Sequence, residues 1–323
     1  MRRKQLGRSG LIVSELCLGC MTFGEPLRGG HPWTLPEDQS RPLIRMAYEA
    51  GITFFDTANV YSDGSSEEIL GRLLWEMAPR DEIILATKVQ GDVRPERQGL
   101  SRRLILQQID ASLTRLKTDH VDLYQIHRWD PVSPIEETME ALHDVVKSGK
   151  ARYIGASSMY AWQFAKAQEV ARANGWTRFV SMQNQINLIY REEEREMIPL
   201  CLDQGVGLIP WSPVARGRLA RPVGTMTERG ELDQFQKLLY ERTEAADAAV
   251  IAAVVAVAAE LGRPMAQVAL AWVRQKAGVA APIIGFSKPG QFSETMQGLD
   301  LVLTPDHIAR LEAPYVPHAP AGH

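Results

Sequence analysis

The sequence predicts an α/β protein with a (β/α)8 (TIM) barrel, and three observations indicate it. Eight short runs recur along the 323 residues, at 16–19, 52–55, 83–87, 121–126, 151–156, 179–182, 206–210 and 281–284. Amphipathic stretches lie between them, at 41–50, 67–77, 102–116, 135–147, 161–172, 192–203 and 246–261. Most runs are apolar throughout, as in strands buried on both faces. Alternating strands and helices favour a parallel sheet, and eight strands in this length favour closure into a barrel.

Both ends of the chain depart from the eightfold pattern. Residues 1–13 read as two strands around a Ser9-Gly10 turn, a hairpin suited to cap one end of a barrel. Residues 303–313 contain Thr-Pro-Asp, a typical helix start, and add a helix beyond the eighth unit, followed by a proline-rich tail. Because no linker divides the chain, we expect 1–323 to form a single barrel domain, with 1–13 as the cap and 303–323 as the extra helix and tail.

Composition excludes several classes of function. Apolar residues make up 45% of the chain and charged residues 23%, as in ordinary globular proteins. The net charge of −3 and the isoelectric point near 6.2 give no basic surface for nucleic acid or an anionic membrane. No apolar run reaches the roughly 18 residues of a membrane span, and the N-terminus has no signal-like apolar stretch. We therefore expect a cytoplasmic protein with no nucleic-acid or membrane partner.

The cysteines and histidines indicate neither a disulfide framework nor a metal site. The three cysteines, Cys17, Cys20 and Cys201, are few and odd in number. Cys17 and Cys20 form a C-x-x-C, but residues three apart on a strand face opposite sides. The seven histidines lack metal-ligand spacing, and we find no Rossmann, P-loop, H-E-x-x-H or G-x-S-x-G motif. We expect no bound metal.

Chemically active side chains end three consecutive predicted strands. Asp56 follows the second run, Lys88 the third and His127 the fourth, and Tyr61 lies in the loop after Asp56. Functional residues of such barrels collect at the carboxyl ends of the strands, so these side chains should converge. The lysine would stabilise a tyrosinate, the aspartate would hold the lysine charged, and the histidine would hydrogen-bond a carbonyl oxygen. This set suits reduction of a carbonyl by a bound hydride donor.

Each of these residues also has a structural interpretation. An aspartate after a strand is often a cap, a lysine there is usually solvated, and a lone histidine is usually a satisfied structural residue. All of these interpretations would have to hold at once on neighbouring strand ends, and this coincidence favours a shared catalytic role.

Three segments around these residues resemble signature sequences of the aldo-keto reductase superfamily. They are Phe-Phe-Asp-Thr-Ala-Asn-Val-Tyr at 54–61, Ala-Thr-Lys at 86–88 and Leu-Tyr-Gln-Ile-His at 123–127. The similarity runs from 6–10 to the helix near Ile308 and implies that Asp56, Tyr61, Lys88 and His127 form a catalytic tetrad. The segments His-Pro-Trp-Thr and Gln-Ile-His-Arg-Trp-Asp, at 31–34 and 125–130, are similar to the bacterial aryl-alcohol-dehydrogenase-like branch, near the deoxyxylulose-phosphate-related reductases.

The resemblance also implies NADPH or NADP+ as the cofactor. It places Ser157 and Gln183 at the nicotinamide carboxamide, Trp211 against the nicotinamide ring and the loop 212–218 over the pyrophosphate. Ser158 stands where many relatives have asparagine, as does Thr295. The implied cofactor contacts are Gly19, Met21, Thr22, Asp56, Ser157, Ser158, Gln183, Trp211, Ser212, Pro213, Val214, Arg216, Gly217, Arg218, Gly285, Ser287, Lys288, Gln291, Glu294 and Thr295.

The segment 285–288 supports the cofactor for an independent physical reason. Gly285 allows close backbone approach, and a helix begins near Pro289, where its N-terminus would attract a phosphate. Lys288 adds a positive charge, which favours NADP over NAD.

The loops after strands one, two and four supply candidate pocket residues. Met21, Phe23, Trp33, Tyr61 and Trp129 would form an aromatic, largely apolar pocket, which suits an aromatic or medium-chain aldehyde. We therefore expect an NADP-dependent oxidoreductase that reduces aldehydes or ketones to alcohols, with Tyr61 as the general acid. Two alternatives stay open: an NADP-binding regulatory or redox-sensing protein, and a non-redox sugar-phosphate enzyme on the same barrel. The oligomeric state is open, with a monomer favoured.

Overall fold

Eight parallel strands form the centre of the fold. The computed structural model describes residues 1–90, 98–225 and 232–322. A hairpin of β1 (Arg3–Gln5) and β2 (Ile12–Ser14) precedes the barrel. The barrel strands are β3 (Cys17–Gly19), β4 (Phe54–Asp56), β5 (Ile84–Val89), β6 (Val121–Ile126), β7 (Ala151–Ser157), β8 (Phe179–Gln183), β9 (Gly207–Leu208) and β10 (Ile283–Ile284).

The eight strands close on themselves. Neighbours pair in parallel in the order β10-β3-β4-β5-β6-β7-β8-β9. The remaining gap is bridged by backbone hydrogen bonds between β9 and the segment before β10. Leu208 N donates to Gly278 O at 2.9 Å, and Ala280 N donates to Leu208 O at 2.9 Å. Ile283 N donates to Pro210 O at 2.8 Å. The predicted (β/α)8 barrel is therefore confirmed, and each predicted strand run overlaps an observed strand.

Helices follow the strands and pack against their outer faces. They are α1 (Glu37–Glu49), α2 (Ser65–Met77), α3 (Arg102–Leu116), α4 (Ile135–Lys147), α5 (Ala161–Asn174), α6 (Met197–Gln204), α7 (Gln234–Tyr240), α8 (Glu244–Leu261), α9 (Met265–Gln275), α10 (Pro289–Gln297) and α11 (Pro305–Glu312). Their apolar faces and the outward side chains of the strands share one buried cluster. Each predicted amphipathic stretch overlaps one of these helices.

Three helical segments differ from the prediction. The stretch 192–203 divides into a 3-10 turn, Glu192–Glu194, and α6, because a proline such as Pro199 is tolerated in the first turn of a helix but not in its interior. The sequence prediction lacks α7 and α9. Residues 267–273 of α9 are all buried.

The N-terminal hairpin closes one end of the barrel, as predicted. Its strands pair from Arg3 opposite Ser14. The last hydrogen bond before the loop runs from Leu6 N to Leu11 O at 2.8 Å, so the loop is wider than a Ser9-Gly10 turn. Leu6 and Leu11 are buried with apolar side chains of the barrel interior. Gly7 has φ +59°, and a Cβ there would lie 2.4 Å from Gly205 O. Only a glycine lets the hairpin approach the barrel this closely.

The cysteines occupy different parts of the core. Cys17 lies in the barrel interior, Cys20 lies between the strands and the helices, and Cys201 is also buried. All three are free, and burial raises the pKa of each thiol. The two residues of the C-x-x-C therefore face opposite sides, as the sequence predicts, and do not form a redox pair.

The C-terminal helix is present and the tail folds back onto the barrel. Thr304 Oγ1 accepts a hydrogen bond from His307 N at 3.2 Å and caps α11. Beyond α11, His318 N donates to Glu192 Oε1 at 2.8 Å, and Gly322 lies against the indole of Trp211. The tail thus reaches the end of the barrel that carries the cavity described below.

Two further features concern metals and membranes. In the ranges 1–90, 98–225 and 232–322, no group of three or more His, Cys, Asp or Glu side chains is arranged to hold a metal ion. No single helix in these ranges is long and apolar enough to cross a membrane. The bent pair Gln234–Leu261 and Met265–Gln275, with 101° between its halves, meets the length and composition requirement only jointly.

Candidate active site

A cavity of about 1110 Å³ opens at the carboxyl ends of the barrel strands. This is the end at which such barrels carry their functional side chains. Of the residues that the sequence singles out, the cavity is lined by Gly19, Met21, Thr22, Trp33, Asp56, Tyr61, His127, Ser157, Gln183, Trp211, Ser212, Pro213, Val214, Arg216, Gly217, Gly285, Ser287, Lys288, Gln291, Glu294 and Thr295.

Lys88 connects the buried aspartate to the tyrosine. Its Nζ donates to the Asp56 carboxylate, to Thr57 O at 2.8 Å and to Tyr61 Oη at 3.2 Å. Burial alone would lower the pKa of Lys88, but the neighbouring Asp56 carboxylate and Tyr61 hydroxyl outweigh burial and raise it above its ordinary value. The lysine is therefore charged at the point where it contacts the phenol.

His127 stands edge-on to the same tyrosine. The two ring centroids are 5.7 Å apart and the ring planes are inclined by 80°. Burial, together with the cations of Arg128 and Lys88, lowers the pKa of His127 well below its ordinary value. At neutral pH the imidazole is therefore uncharged, with one N–H donor and one acceptor nitrogen. It can hydrogen-bond a ligand oxygen without adding charge to the site.

Two glutamines hold the second oxygen of Asp56. Gln125 Nε2 donates to Asp56 Oδ2 at 2.8 Å, and Gln183 Nε2 donates to the same oxygen at 3.0 Å. Gln183 Nε2 also donates to Gln125 Oε1 at 3.1 Å. Since a carboxylate only accepts, both amides must present their nitrogen to it. The side-chain oxygen of Gln183, Oε1, can then act as an acceptor, and Gln183 lines the cavity.

Sequence reasoning missed Gln125 as a site residue. It lies inside the apolar run of β6, two residues before His127, and it is fully buried. Side chains two apart on a strand share a face, so Gln125, His127 and Leu123 all point into the barrel. A glutamine on the inward face of a buried strand was the signal that could have identified it, because buried amides need partners.

The cluster lies at the ends of β4, β5, β6 and β8 and combines a phenol, a charged lysine and a neutral imidazole. Residues 15–315 match the family model of the aldo/keto reductase family. The chain belongs to this family. Its members include named reductases and dehydrogenases, so this aldo-keto reductase is an oxidoreductase that acts on carbonyl or alcohol groups.

Three relatives illustrate the similarity of this aldo-keto reductase to known proteins. The versiconal hemiacetal acetate reductase of Aspergillus parasiticus is 47% identical, over 99% of this chain and 98% of that protein. The aldo-keto reductase AMT2 of Alternaria alternata is 43% identical, over 99% of this chain and 93% of its own length. A Schizosaccharomyces pombe protein whose name assigns it to the aryl-alcohol dehydrogenases is 41% identical, over 97% of this chain and 95% of its own length.

These relatives support the aryl-alcohol-dehydrogenase-like part of the sequence interpretation. They come from filamentous fungi and yeast, so they do not support its narrower placement in a bacterial branch. The bacterial placement rests only on the short segments at 31–34 and 125–130. Segments of four to six residues are too short to separate branches of one family.

The β7 and β8 ends and Trp211 form one wall of the cavity. Ser157 Oγ donates to Gln183 O at 2.7 Å, and Trp211 Nε1 donates to Ser158 Oγ at 3.0 Å. Ser158 is therefore occupied in positioning the indole and does not line the cavity. The nearby Arg128, which does line it, has its guanidinium carbon 6.0 Å from the centroid of the Trp211 ring.

The loop after β9 carries Arg216 to the cavity. Ser212, Ala215 and Arg216 have φ of 54°, 49° and 54°, and Gly217 has φ of 99°. This backbone is rarely adopted by residues other than glycine and is often found at ligand clamps. Arg216 Nε donates to Asp233 Oδ2 at 2.8 Å, and its Nη2 pairs with the same carboxylate. Asp233 thus orients the guanidinium and balances its charge.

The β10 end of the cavity suits a phosphate. A Cβ on Gly285 would come no closer than 3.8 Å to Thr22 Oγ1, so no neighbouring protein atom requires a glycine there. A ligand that fills this space is a physical reason to omit the side chain. α10 begins beside it with Lys288 as N-cap residue, and a helix N-terminus with an ammonium favours an anion. These residues fit a phosphate-bearing nicotinamide cofactor, of the kind that this family generally uses.

Several predicted contacts lie off the cavity surface. Phe23 is fully buried, and Trp129 packs on Trp162 with ring centroids 6.0 Å apart. Arg218 lies 3.7 Å from Glu244 and 5.7 Å from the centroid of the Tyr240 ring. The cavity instead includes residues that the sequence did not single out, among them Leu35, Gln39, Gln90, Arg128, Arg221 and Phe235.

Proposed function

We propose that this aldo-keto reductase uses NADPH to reduce aldehydes and ketones to alcohols, with Tyr61 as the general acid. The observation that carries the proposal is the Tyr61 hydroxyl, which lines the cavity and lies 3.2 Å from the ammonium of Lys88. The neighbouring imidazole is neutral at pH 7, because burial and adjacent cations lower the pKa of His127. The phenol is therefore the better placed proton donor.

The residues around Tyr61 divide the work of proton transfer. When bound, the reduced nicotinamide supplies a hydride to the carbonyl carbon. Tyr61 gives its hydroxyl proton to the carbonyl oxygen, and the ammonium of Lys88 stabilises the tyrosinate that remains. Asp56 keeps Lys88 charged and in place. His127 donates an N–H to the carbonyl oxygen and so orients and polarises it.

We propose NADPH rather than NADH because of the charge near Gly285. Lys288 is the N-cap residue of α10, where Gln291 Oε1 accepts hydrogen bonds from Ser287 N at 2.9 Å and Lys288 N at 3.2 Å. The glutamine fixes the start of the helix and leaves the lysine ammonium exposed. An adenosine 2′-phosphate would add about two negative charges, and the ammonium of Lys288 would bind them.

Aromatic and medium-chain aldehydes are the proposed substrates. Trp33, Trp211 and Phe235 give the cavity flat apolar walls, which favour aromatic rings. The name of one relative points the same way, since it assigns that protein to the aryl-alcohol dehydrogenases.

The direct test is consumption of NADPH by the purified protein with 4-nitrobenzaldehyde, with the alcohol quantified in parallel. We expect one alcohol per NADPH consumed, and a much lower rate with NADH. Tight NADPH binding without turnover would overturn the reductase and favour a regulatory protein. Conversion of a sugar phosphate without NADPH consumption would favour a non-redox enzyme.

A further inference from the structure

Arg128 is a basic residue of the cavity that the proposed mechanism does not use. It follows His127 after the end of β6, and it lines the same cavity as Tyr61. Its Nη1 donates to His127 O at 2.6 Å and to Ser157 Oγ at 3.4 Å. Within the three described ranges, no hydrogen bond uses its Nε or Nη2, and no carboxylate pairs with it. A guanidinium has five N–H donors, so most of this capacity is left for a ligand.

Two other cations of the site, one on each side of the cavity, are already balanced by carboxylates. Lys88 is paired with Asp56, and Arg216 is paired with Asp233. Burial lowers the pKa of Arg128, as expected for a cation that has lost water without gaining a carboxylate. The positive charge of Arg128 therefore remains to be matched by whatever binds in the cavity.

We propose that Arg128 forms an anion-binding subsite beside Tyr61 and His127, and that the preferred substrates are carbonyl compounds that also carry a carboxylate or a phenolate. This inference rests on the reductase function proposed above and narrows its substrate class. A guanidinium binds such groups through parallel N–H···O bonds. The subsite is preformed, because two hydrogen bonds and the Trp211 ring hold the side chain.

A phosphate of the cofactor is the other anion that a guanidinium could bind. The phosphate-binding features of this cavity lie elsewhere, at the loop 212–217 and at the start of α10. Arg128 instead adjoins the strand end that carries His127. The position next to the reacting groups favours an anion on the substrate over a phosphate on the cofactor.

The test uses substrates that share a shape and differ in charge. Carboxybenzaldehydes and nitrobenzaldehydes with the group at position 2, 3 or 4 are compared in wild type, Arg128→Met and Arg128→Lys. For at least one position, we expect Arg128→Met to lower the carboxylate-to-nitro ratio of kcat/KM roughly 10- to 100-fold, mainly through KM. Comparing the ratio between variants cancels the intrinsic reactivity of each aldehyde. Arg128→Lys, which keeps the charge, should retain part of the preference.

Binding measurements separate the possible outcomes. Benzoate titrated into the NADP+ complex should bind more weakly to Arg128→Met, by a similar factor, while the Kd for NADPH stays near wild type. Arg152→Met, at an exposed position of β7, is the matched control and should change neither quantity. An unchanged ratio, or NADPH binding weakened as much as benzoate binding, would overturn the subsite. Failure of wild type to reduce any nitrobenzaldehyde would instead overturn the reductase function.

Discussion

The two sides of the cavity are built from different material. Around Tyr61, strands supply the active groups: Asp56, Lys88 and Gln125 lie on β4, β5 and β6 and are buried. On the other side, the loop 212–217 and the start of α10 supply them, with several positive φ angles and an exposed lysine. Groups on strands are held by their neighbours before any ligand binds, whereas groups on loops can adjust. We infer a rigid catalytic side and an adaptable cofactor side.

The largest expected effect comes from removing the ammonium on the rigid side. Lys88→Met should lower kcat/KM roughly 10²- to 10⁴-fold, because the tyrosinate loses its stabilising charge. Steady-state kinetics with 4-nitrobenzaldehyde measure the loss, and the Kd for NADPH should change little because Lys88 does not line the cavity. Thermal melting checks that the variant folds, since Asp56 loses its charged partner. A variant that folds and keeps its kcat/KM would refute a role for Lys88 in proton transfer.

A smaller loss of kcat/KM is expected when the buried amide of Gln125, close to Asp56, is removed. Gln125→Leu removes a hydrogen bond to the Asp56 carboxylate and frees the amide of Gln183 to rotate. A hydrogen bond to a charged group is worth about 1.5–3 kcal/mol, so unfolding free energy and kcat/KM should both fall. Denaturant titration measures the first and steady-state kinetics the second.

Gln168→Leu is the matched control for this change. Gln168 is also buried and makes two hydrogen bonds, donating to Phe179 O at 3.1 Å and accepting from Phe179 N at 2.9 Å. It lies off the cavity, so this variant should lose stability but keep kcat/KM. Equal activity losses in the two variants would show that Gln125 has only a structural role.

Substitutions on the adaptable side should alter the binding of NADPH rather than the chemical step. Asp233→Asn keeps the side-chain acceptor that caps α7 but removes the charge that holds Arg216. We expect the Kd for NADPH to rise about tenfold, the scale of one charge-assisted hydrogen bond, with kcat little changed. Fluorescence titration with NADPH measures the Kd, and steady-state kinetics measure kcat. A fall in kcat with an unchanged Kd would contradict the inference that this side acts through cofactor binding.

The last expected effect is on the pH dependence of stability and not on activity. The pKa of His127 is held well below its ordinary value near 6.5, so the folded state resists a proton that the unfolded state accepts. Stability should therefore fall as pH drops below about 6.5, by at most about 1.4 kcal/mol per pH unit from this residue. His127→Gln should remove that part of the slope. The test compares the unfolding free energies of both proteins at pH 7 and pH 5. Identical slopes would contradict an imidazole that stays neutral in the folded state.

The difference between groups on strands and groups on loops also explains which site residues the sequence could predict. Asp56, Lys88 and His127 were recognisable because strand ends are countable and the ends of parallel strands meet at one rim. Phe23 and Trp129 belong to loops, whose direction does not follow from residue order, and the structure places both off the cavity surface.

The measurement that decides most directly is turnover by Tyr61→Phe beside wild type. Phenylalanine keeps the ring that packs edge-on against His127 and removes only the hydroxyl that contacts Lys88. If Tyr61 is the general acid, NADPH consumption with 4-nitrobenzaldehyde should collapse while the Kd for NADPH stays close to wild type. A variant that keeps most of its turnover would contradict proton donation by Tyr61.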